Sequence, residues 1–269
     1  MPRISVLMGI YNCADTLREA LDSLYAQTYK DFQIILCDDG SKDETYNIAS
    51  EYANRYDNVI LLKNDRNRGL NYTLNHCLQY ADTELIARMD GDDLSKPERF
   101  AIQVKFLDEH PEYGVVSTPG TYFDENGVFR INKGQGEVKP KDFIRSSPVG
   151  HAECMARTAV FKKVGGYTVD DRLLRVEDYH LWFKIFAAGY KLYQMPESLY
   201  LVRTSSASIS RRNWKSRKNE VYVKHIGYKM IGLPWYYQIF TLEPIIKYLL
   251  PRSLYVYLHR RKNNSHNHN

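Results

Sequence analysis

Leu85-Ile86-Ala87-Arg88-Met89-Asp90-Gly91-Asp92-Asp93 is an apolar run that breaks into three carboxylates within four residues. A short apolar run that ends in a polar turn reads as a buried strand. The acids then stand at the strand's carboxyl end. In sheets built from strand–helix–strand units, ligands bind beyond those ends. Adjacent carboxylates repel one another, so a cation among them stabilises the cluster, and oxygen ligands of this kind suit Mn²⁺ or Mg²⁺. Taken alone, the motif reads equally well as a solvated acidic turn ahead of a helix that starts near Pro97.

Outward from this stretch the pattern repeats. Residues 4–10, 32–37, 59–62, 84–89 and 115–118 read as buried strands. Helices are predicted between them. The first is capped by Asp15 or Thr16 and carries Leu17, Leu21 and Leu24 on one face. The others span about 43–55, 70–80 and 97–110, the last opened by Pro97. Strands alternating with helices predict crossover units and an α/β fold with a mostly parallel sheet flanked by helices. Tyr11-Asn12, Asp38-Asp39 and Asp90-Gly91-Asp92-Asp93 all lie at strand ends, so they should converge in space. Past residue 120 the spacing changes. A turn is expected at 124–127, a short helix over 140–145, an extended segment over 151–156 and a helix over 158–164 that Gly165-Gly166 ends. An amphipathic helix over 177–188 and a last strand between Gly189-Tyr190 and Met195-Pro196 complete the pattern.

The chain has 269 residues with 43% hydrophobic, enough for a sizeable core. Its net charge of +5 is unevenly spread. Residues 203–269 hold 13 Lys+Arg against Glu220 and Glu243, a local +11, and the rest of the chain is at −6. The four cysteines are scattered without CxxC spacing, which argues against a zinc site and a disulfide framework and for a reducing compartment. The N-terminal segment lacks a basic stretch followed by an apolar core, so no signal peptide is expected. No run of 18 apolar residues occurs, and 235–258 is broken by Glu243, Lys247, Arg252 and two prolines.

The ordered set Tyr11-Asn12, Asp38-Asp39-Gly40-Ser41, Asn67-Arg68-Gly69, Asp90-Gly91-Asp92-Asp93, Gly165-Gly166-Tyr167 and Glu177-Asp178-Tyr179 with Leu181-Trp182 resembles the family 2 inverting glycosyltransferases, which have the GT-A fold. The resemblance covers about residues 3–203. It implies a nucleotide-sugar donor, a UDP-sugar, held by Tyr11, Asn12, Asp39, Asn67 and Arg68. Asp90 and Asp92 would be the outer positions of a DXD motif that holds Mn²⁺ or Mg²⁺ against the diphosphate, where a divalent ion stabilises the departing UDP. Asp93 would touch the donor sugar or orient the site, and His151 would lie near the donor. Arg88 would meet the phosphates or pair with the acids. Asp178 matches the family's catalytic base, which takes the proton from the attacking acceptor hydroxyl. Glu177 would help position the acceptor. Without the resemblance, Glu177 and Asp178 read as helix-dipole partners and Asp39 as a turn residue.

The resemblance divides the chain into a catalytic unit over 1–203, with a nucleotide-sugar half at 1–118 and an acceptor half at 119–203. A basic, aromatic helical extension follows over 204–262, and 263–269 reads as disordered. In the extension, Arg211, Arg212, Lys215, Arg217, Lys218, Lys224 and Lys229 accompany Trp235, Tyr236, Tyr237 and Phe240, then Tyr255, Tyr257 and Arg260-Arg261-Lys262. Basic residues beside Trp and Tyr predict an anchor on an anionic membrane surface; the alternative is a helix packed on the body. No pattern for nucleic-acid binding accompanies them. The implied activity is metal-dependent, inverting transfer of a sugar to a glycan or lipid-linked saccharide in bacterial surface polysaccharide synthesis, by a cytoplasmic enzyme peripheral to the inner face of the membrane. The rival readings are a nucleotidyltransferase, which would carry a Gly-rich basic loop after the first strand, and a non-catalytic sugar- or lipid-binding module.

Overall fold

The computed structural model describes residues 2–204 and 214–249. Arg211, Arg212, Tyr255, Tyr257, Arg260, Arg261, Lys262 and the 263–269 segment lie outside these residues. The chain runs β1 Ile4–Ile10, α1 Ala14–Tyr25, β2 Phe32–Asp38, α2 Thr45–Arg55, β3 Val59–Lys63, α3 Leu70–Gln79, β4 Leu85–Arg88, β5 Leu94–Ser95, α4 Arg99–Glu109, β6 Tyr113–Ser117, β7 Gly120–Asp124, β8 Gly127–Ile131, β9 Gly136–Glu137, β10 Cys154–Arg157, α5 Thr158–Lys163, α6 Glu177–Ala187, β11 Lys191–Gln194 and β12 Tyr200–Arg203. Among the described residues, the α-helices Trp214–Met230 and Glu243–Leu249 follow, with a 3-10 helix over Trp235–Leu242 between them.

The main sheet has the order β3-β2-β1-β4-β10-β6-β11-β9, and a smaller one has β5-β12-β7-β8. The strands β3, β2, β1 and β4 pair in parallel. The chain steps outward from β1 to β3, then returns to place β4 on the other side of β1. The reversal opens a crevice beyond the carboxyl ends of β1 and β4, where ligands bind in sheets of this kind. Strand β10 enters antiparallel between β4 and β6. Strands from the 119–203 segment therefore sit inside the sheet of the first. The core lies on both faces of the sheet: Leu17, Leu21, Leu24 and Phe100 cover one face, and Leu74, Trp182 and Phe183 belong to the other cluster.

Helix α1 begins differently from the expectation. Asp15 and Thr16 lie within its first turn, and Cys13 at the cap position makes no side-chain cap. The free N–H groups are met from the start of α2 and the loop before it instead: Cys13 N–H donates to Thr45 Oγ1 at 2.8 Å and Ala14 N–H to Asp43 at 3.2 Å. A helix start needs acceptors from some source, and here a neighbouring segment supplies them.

The basic extension also differs from the expectation of a free anchor. Helix Trp214–Met230 packs on the body: Val223 and Tyr228 are fully buried in the core cluster that holds Phe183. The Tyr228 hydroxyl donates to Ile144 O at 2.6 Å, and Asn219 donates to Leu174 O at 3.0 Å. Lys224, read as part of a lipid-facing basic set, is 0% exposed and lies between Glu220 at 3.7 Å and Glu243 at 3.3 Å. The only two acids of the extension are thus used on it. Gly227 faces the Phe183 ring so closely that a Cβ would stand 2.2 Å from Cδ2. Gly227→Ala is expected to lower stability by about 1–3 kcal/mol through overpacking, which exceeds the ~1 kcal/mol that the exchange gains in helix propensity. A higher melting temperature for the variant would contradict this packing.

Candidate active site

Three loops meet at the carboxyl ends of β1, β2 and β4. Carboxylate oxygens of Asp90, Asp92 and Asp93 lie within 4.8 Å of one another. The cluster is pinned from below and from the side. Asp90 accepts from Arg88 Nη2 at 2.5 Å, and its backbone N–H donates to Tyr200 Oη at 3.1 Å. Arg203, at the end of β12, donates its backbone N–H to Asp93 at 2.8 Å and Nε–H to Asp92 O at 2.9 Å. Asp93 is buried, and burial together with the charges of Asp90 and Asp92 pushes its carboxyl up to about 8. A divalent cation would relieve that repulsion. The donor set, three hard carboxylates, fits Mn²⁺ or Mg²⁺.

Arg88 is 3% exposed, and its Nε and Nη1 have no hydrogen-bond partner among the described residues. Of the two roles open to it, the structure shows pairing with Asp90. Asp90 and Asp93 line a cleft of about 560 Å³ together with Tyr122, His151, Glu153 and Asp178. Asp178 lies in the first turn of α6, and burial holds its carboxyl above the ordinary 3.8. Glu177 does not line this cleft. Its Oε2 is buried without a partner among the described residues, and burial plus the Asp178 charge push its carboxyl up to about 7. His151 Nε2 and the Tyr167 hydroxyl share a hydrogen bond of 2.7 Å. Burial, then the Arg88 charge, pushes the imidazole well below 6.5, so it is neutral near pH 7.

A second cleft of about 180 Å³ is lined by Tyr11, Asp39, Asn67, Gly69 and Thr73, among others. Asp39 is 4% exposed and accepts from Asn64 Nδ2 at 2.8 Å, Arg68 N–H at 2.8 Å and Gly69 N–H at 2.9 Å. A carboxylate has about four lone-pair positions, so these three bonds leave room for one more donor. Arg68 contributes its backbone here, while its guanidinium stacks 4.4 Å from the Tyr72 ring centre. Asn12 takes a left-handed conformation, φ 47°. Its side chain accepts from Lys42 N–H at 2.8 Å, so it closes the loop after β1. Trp182 is core, 0% exposed.

Sequence reasoning passed over Asn64, Glu153 and Tyr200. Asn64 holds Asp39, Thr73 and His76 together. A polar residue just past a strand end was the available signal for Asn64. For Glu153 and Tyr200 there was none, because β10, which Glu153 precedes, and β12 join the site only through long-range pairing.

Residues 5–165 match the family described as "Glycosyl transferase family 2". EpsE of Bacillus subtilis (strain 168), whose name classes it provisionally as a glycosyltransferase, is 37% identical over 97% of this chain and 94% of its own length. WfaP of Escherichia coli, named as a UDP-Glc:alpha-D-GlcNAc-diphosphoundecaprenol beta-1,3-glucosyltransferase, is 26% identical over 85% and 88%. Among solved structures, TarS 1–349 of S. aureus in complex with UDP-GlcNAc has a TM-score of 0.68 at 19% identity, over 86% of this chain and 70% of that one. The mannosyltransferase PcManGT of Pyrobaculum calidifontis, in complex with GDP-Man and Mn²⁺, has a TM-score of 0.62 at 20% identity, over 98% and 80%. These two likenesses show the fold alone, which is GT-A. The nucleotidyltransferase and binding-module readings give way to an enzyme of the transferase class. The chain belongs to glycosyl transferase family 2 and is a glycosyltransferase.

Proposed function

We propose that this enzyme moves a sugar, with inversion, from a UDP-sugar to a saccharide or lipid-linked saccharide acceptor, and that it serves bacterial surface polysaccharide synthesis. The observation that carries the reading is that Asp90 and Asp93 of the acidic cluster line one cleft with Asp178. Asp39 in the smaller cleft would accept from uracil N3–H, with Tyr11, Asn67 and the Gly69 backbone around it. Asp90 and Asp92 would hold Mn²⁺ or Mg²⁺, which supplies Lewis-acid stabilisation of the departing diphosphate. Asp93 and His151 would border the donor sugar. Asp178 would take the proton of the attacking hydroxyl, with Glu177 behind it. The donor half would be residues 1–118 and the acceptor half 119–203, joined by β10 inside one sheet.

UDP is expected to raise the melting temperature strongly with Mn²⁺ and little with EDTA. A ligand at a hundred times its Kd stabilises by about 2.7 kcal/mol, so the difference is measurable. Asp92→Asn should remove it. Equal stabilisation in both conditions would refute the metal role.

A peripheral membrane position is a second part of the reading. Among the described residues, no helix is long and apolar enough to cross a membrane. Trp235, 84% exposed, Ile239, Leu242, Ile246 and Leu249 are exposed apolar residues near the end of the described chain. Those residues, rather than the packed helix before them, would meet the anionic inner face of the membrane.

A further inference from the structure

The larger cleft contains a carboxylate that the roles above do not use. Glu153 is 7% exposed and lines the cleft beside Asp90 and Asp93. Strand β10 runs antiparallel to β4 with Met155 opposite Ala87. Continuing that register by two residues sets Glu153 beside Met89, at the edge where the acidic cluster begins.

The position is built to hold a side chain still. Arg99, fully buried, donates Nη2–H to the carbonyls of Arg88, Ala152 and Cys154 at 2.9, 3.1 and 3.1 Å. Gln103, also fully buried, donates to the carbonyl of Glu153 itself at 2.8 Å. Two glycines make room for the carboxylate: a Cβ on Gly150 would stand 2.2 Å from Oε2, and one on Gly120 would stand 3.0 Å from Oε1. Among the described residues, no other side chain donates a hydrogen bond to it. Burial pushes its carboxyl up to about 7. Its own backbone N–H serves one of the carboxylate's acceptor positions, and the others, held at the cleft wall, favour a further donor. The charge of Asp90 acts on Glu153, and that of Glu153 acts on Asp93, which sets it on the metal side of the cleft.

We propose that Glu153 accepts a hydrogen bond from a hydroxyl group of the transferred sugar and thereby selects which UDP-sugar is used. The proposal rests on the UDP-sugar reading of the site. A neutral sugar with a free hydroxyl at the contacted carbon satisfies Glu153. An anionic sugar such as a uronic acid would bring a further negative charge into the buried acidic pocket of Asp90, Asp93 and Glu153, and is rejected. A site that hydrogen-bonds a substrate hydroxyl discriminates strongly against analogues that lack it, because its own buried group is then left unpaired.

The test is calorimetric binding to the full chain in Mn²⁺, with UDP, UDP-glucose, UDP-galactose, UDP-N-acetylglucosamine and UDP-glucuronic acid as probes. The wild-type protein is expected to bind one neutral UDP-sugar best and UDP-glucuronic acid worst. Glu153→Ala should weaken the best UDP-sugar about tenfold to a hundredfold, compress the ranking, and leave UDP affinity unchanged. Glu153→Gln keeps the size and one acceptor oxygen, so it should retain part of the preference even where the alanine variant fails to fold. An unchanged ranking in Glu153→Gln and Glu153→Ala overturns the proposal. So does loss of UDP affinity or of its Mn²⁺ dependence, which would assign Glu153 to the metal site. Failure of the wild-type protein to bind UDP in Mn²⁺ is a different result, because it refutes the UDP-sugar reading itself.

Discussion

Asp178→Asn is expected to slow sugar transfer by about 10²–10⁴-fold, the usual contribution of a general base, while UDP affinity in Mn²⁺ stays within about twofold of wild type. Asparagine matches aspartate in size but cannot take the acceptor's proton. Asp178 lines the larger cleft, whereas Asp39 lines the smaller one, so the two functions separate by residue. The pH dependence gives a second readout. Burial raises the Asp178 carboxyl above 3.8. The base works ionised, so kcat/KM should fall as pH drops through that raised value. The measurement is single-turnover transfer together with the anomeric configuration of the product. A variant of near-normal rate, or a product of retained configuration, would remove Asp178 from the role of base.

Deleting residues 211–269 is expected to yield a chain that does not fold stably. The deletion removes Val223 and Tyr228 from a cluster shared with Phe183 and Trp182. It also removes the Tyr228 bond to Ile144 O and the Asn219 bond to Leu174 O. Full burial of one such side chain contributes about 1.5–3 kcal/mol. Two of them amount to a large part of the 5–15 kcal/mol that holds a typical domain. Deleting only 250–269 removes none of these contacts and should leave the melting curve in place. A 1–210 chain that melts cooperatively within a few degrees of the full chain would show that helix Trp214–Met230 is dispensable. Vesicle sedimentation of the 1–249 chain then isolates the exposed apolar residues, Trp235 and Ile239 among them, from the basic residues beyond them.

Local pattern made much of this protein readable. Continuous apolar runs located β1, β2 and β3, and a 3.6 spacing located α3, to within a residue or so of their ends, because a strand covered on both faces is apolar almost throughout whereas a helix has one buried face. The alternation of those elements implied a sheet whose carboxyl edge carries Tyr11, Asp39 and Asp90, and the structure brings these loops to that edge. Asp178 stood out by its place at a helix start and by the order of motifs around it. None of this needed contacts between distant residues.

Tertiary structure decided the rest, and in each case the reason is an interaction with no local signature. The antiparallel entry of β10 beside β4 brings His151 and Glu153 into the cleft. No run of residues 151–157 encodes which strand it will join. Tyr200 reaches the backbone of Asp90 from 110 residues away, and Arg203 reaches Asp93 across the same span. The helix Trp214–Met230 has a surplus of cations, so it reads as a surface for anions. Yet Lys224 is neutralised by Glu220 and Glu243, and a single glycine lets the helix close on Phe183. Composition counts charges, but only the folded chain decides which of them are already paired. That is why the carboxylates at the ends of β2 and β4 were legible from sequence alone, whereas Glu153 and the packed basic helix were visible only in the fold.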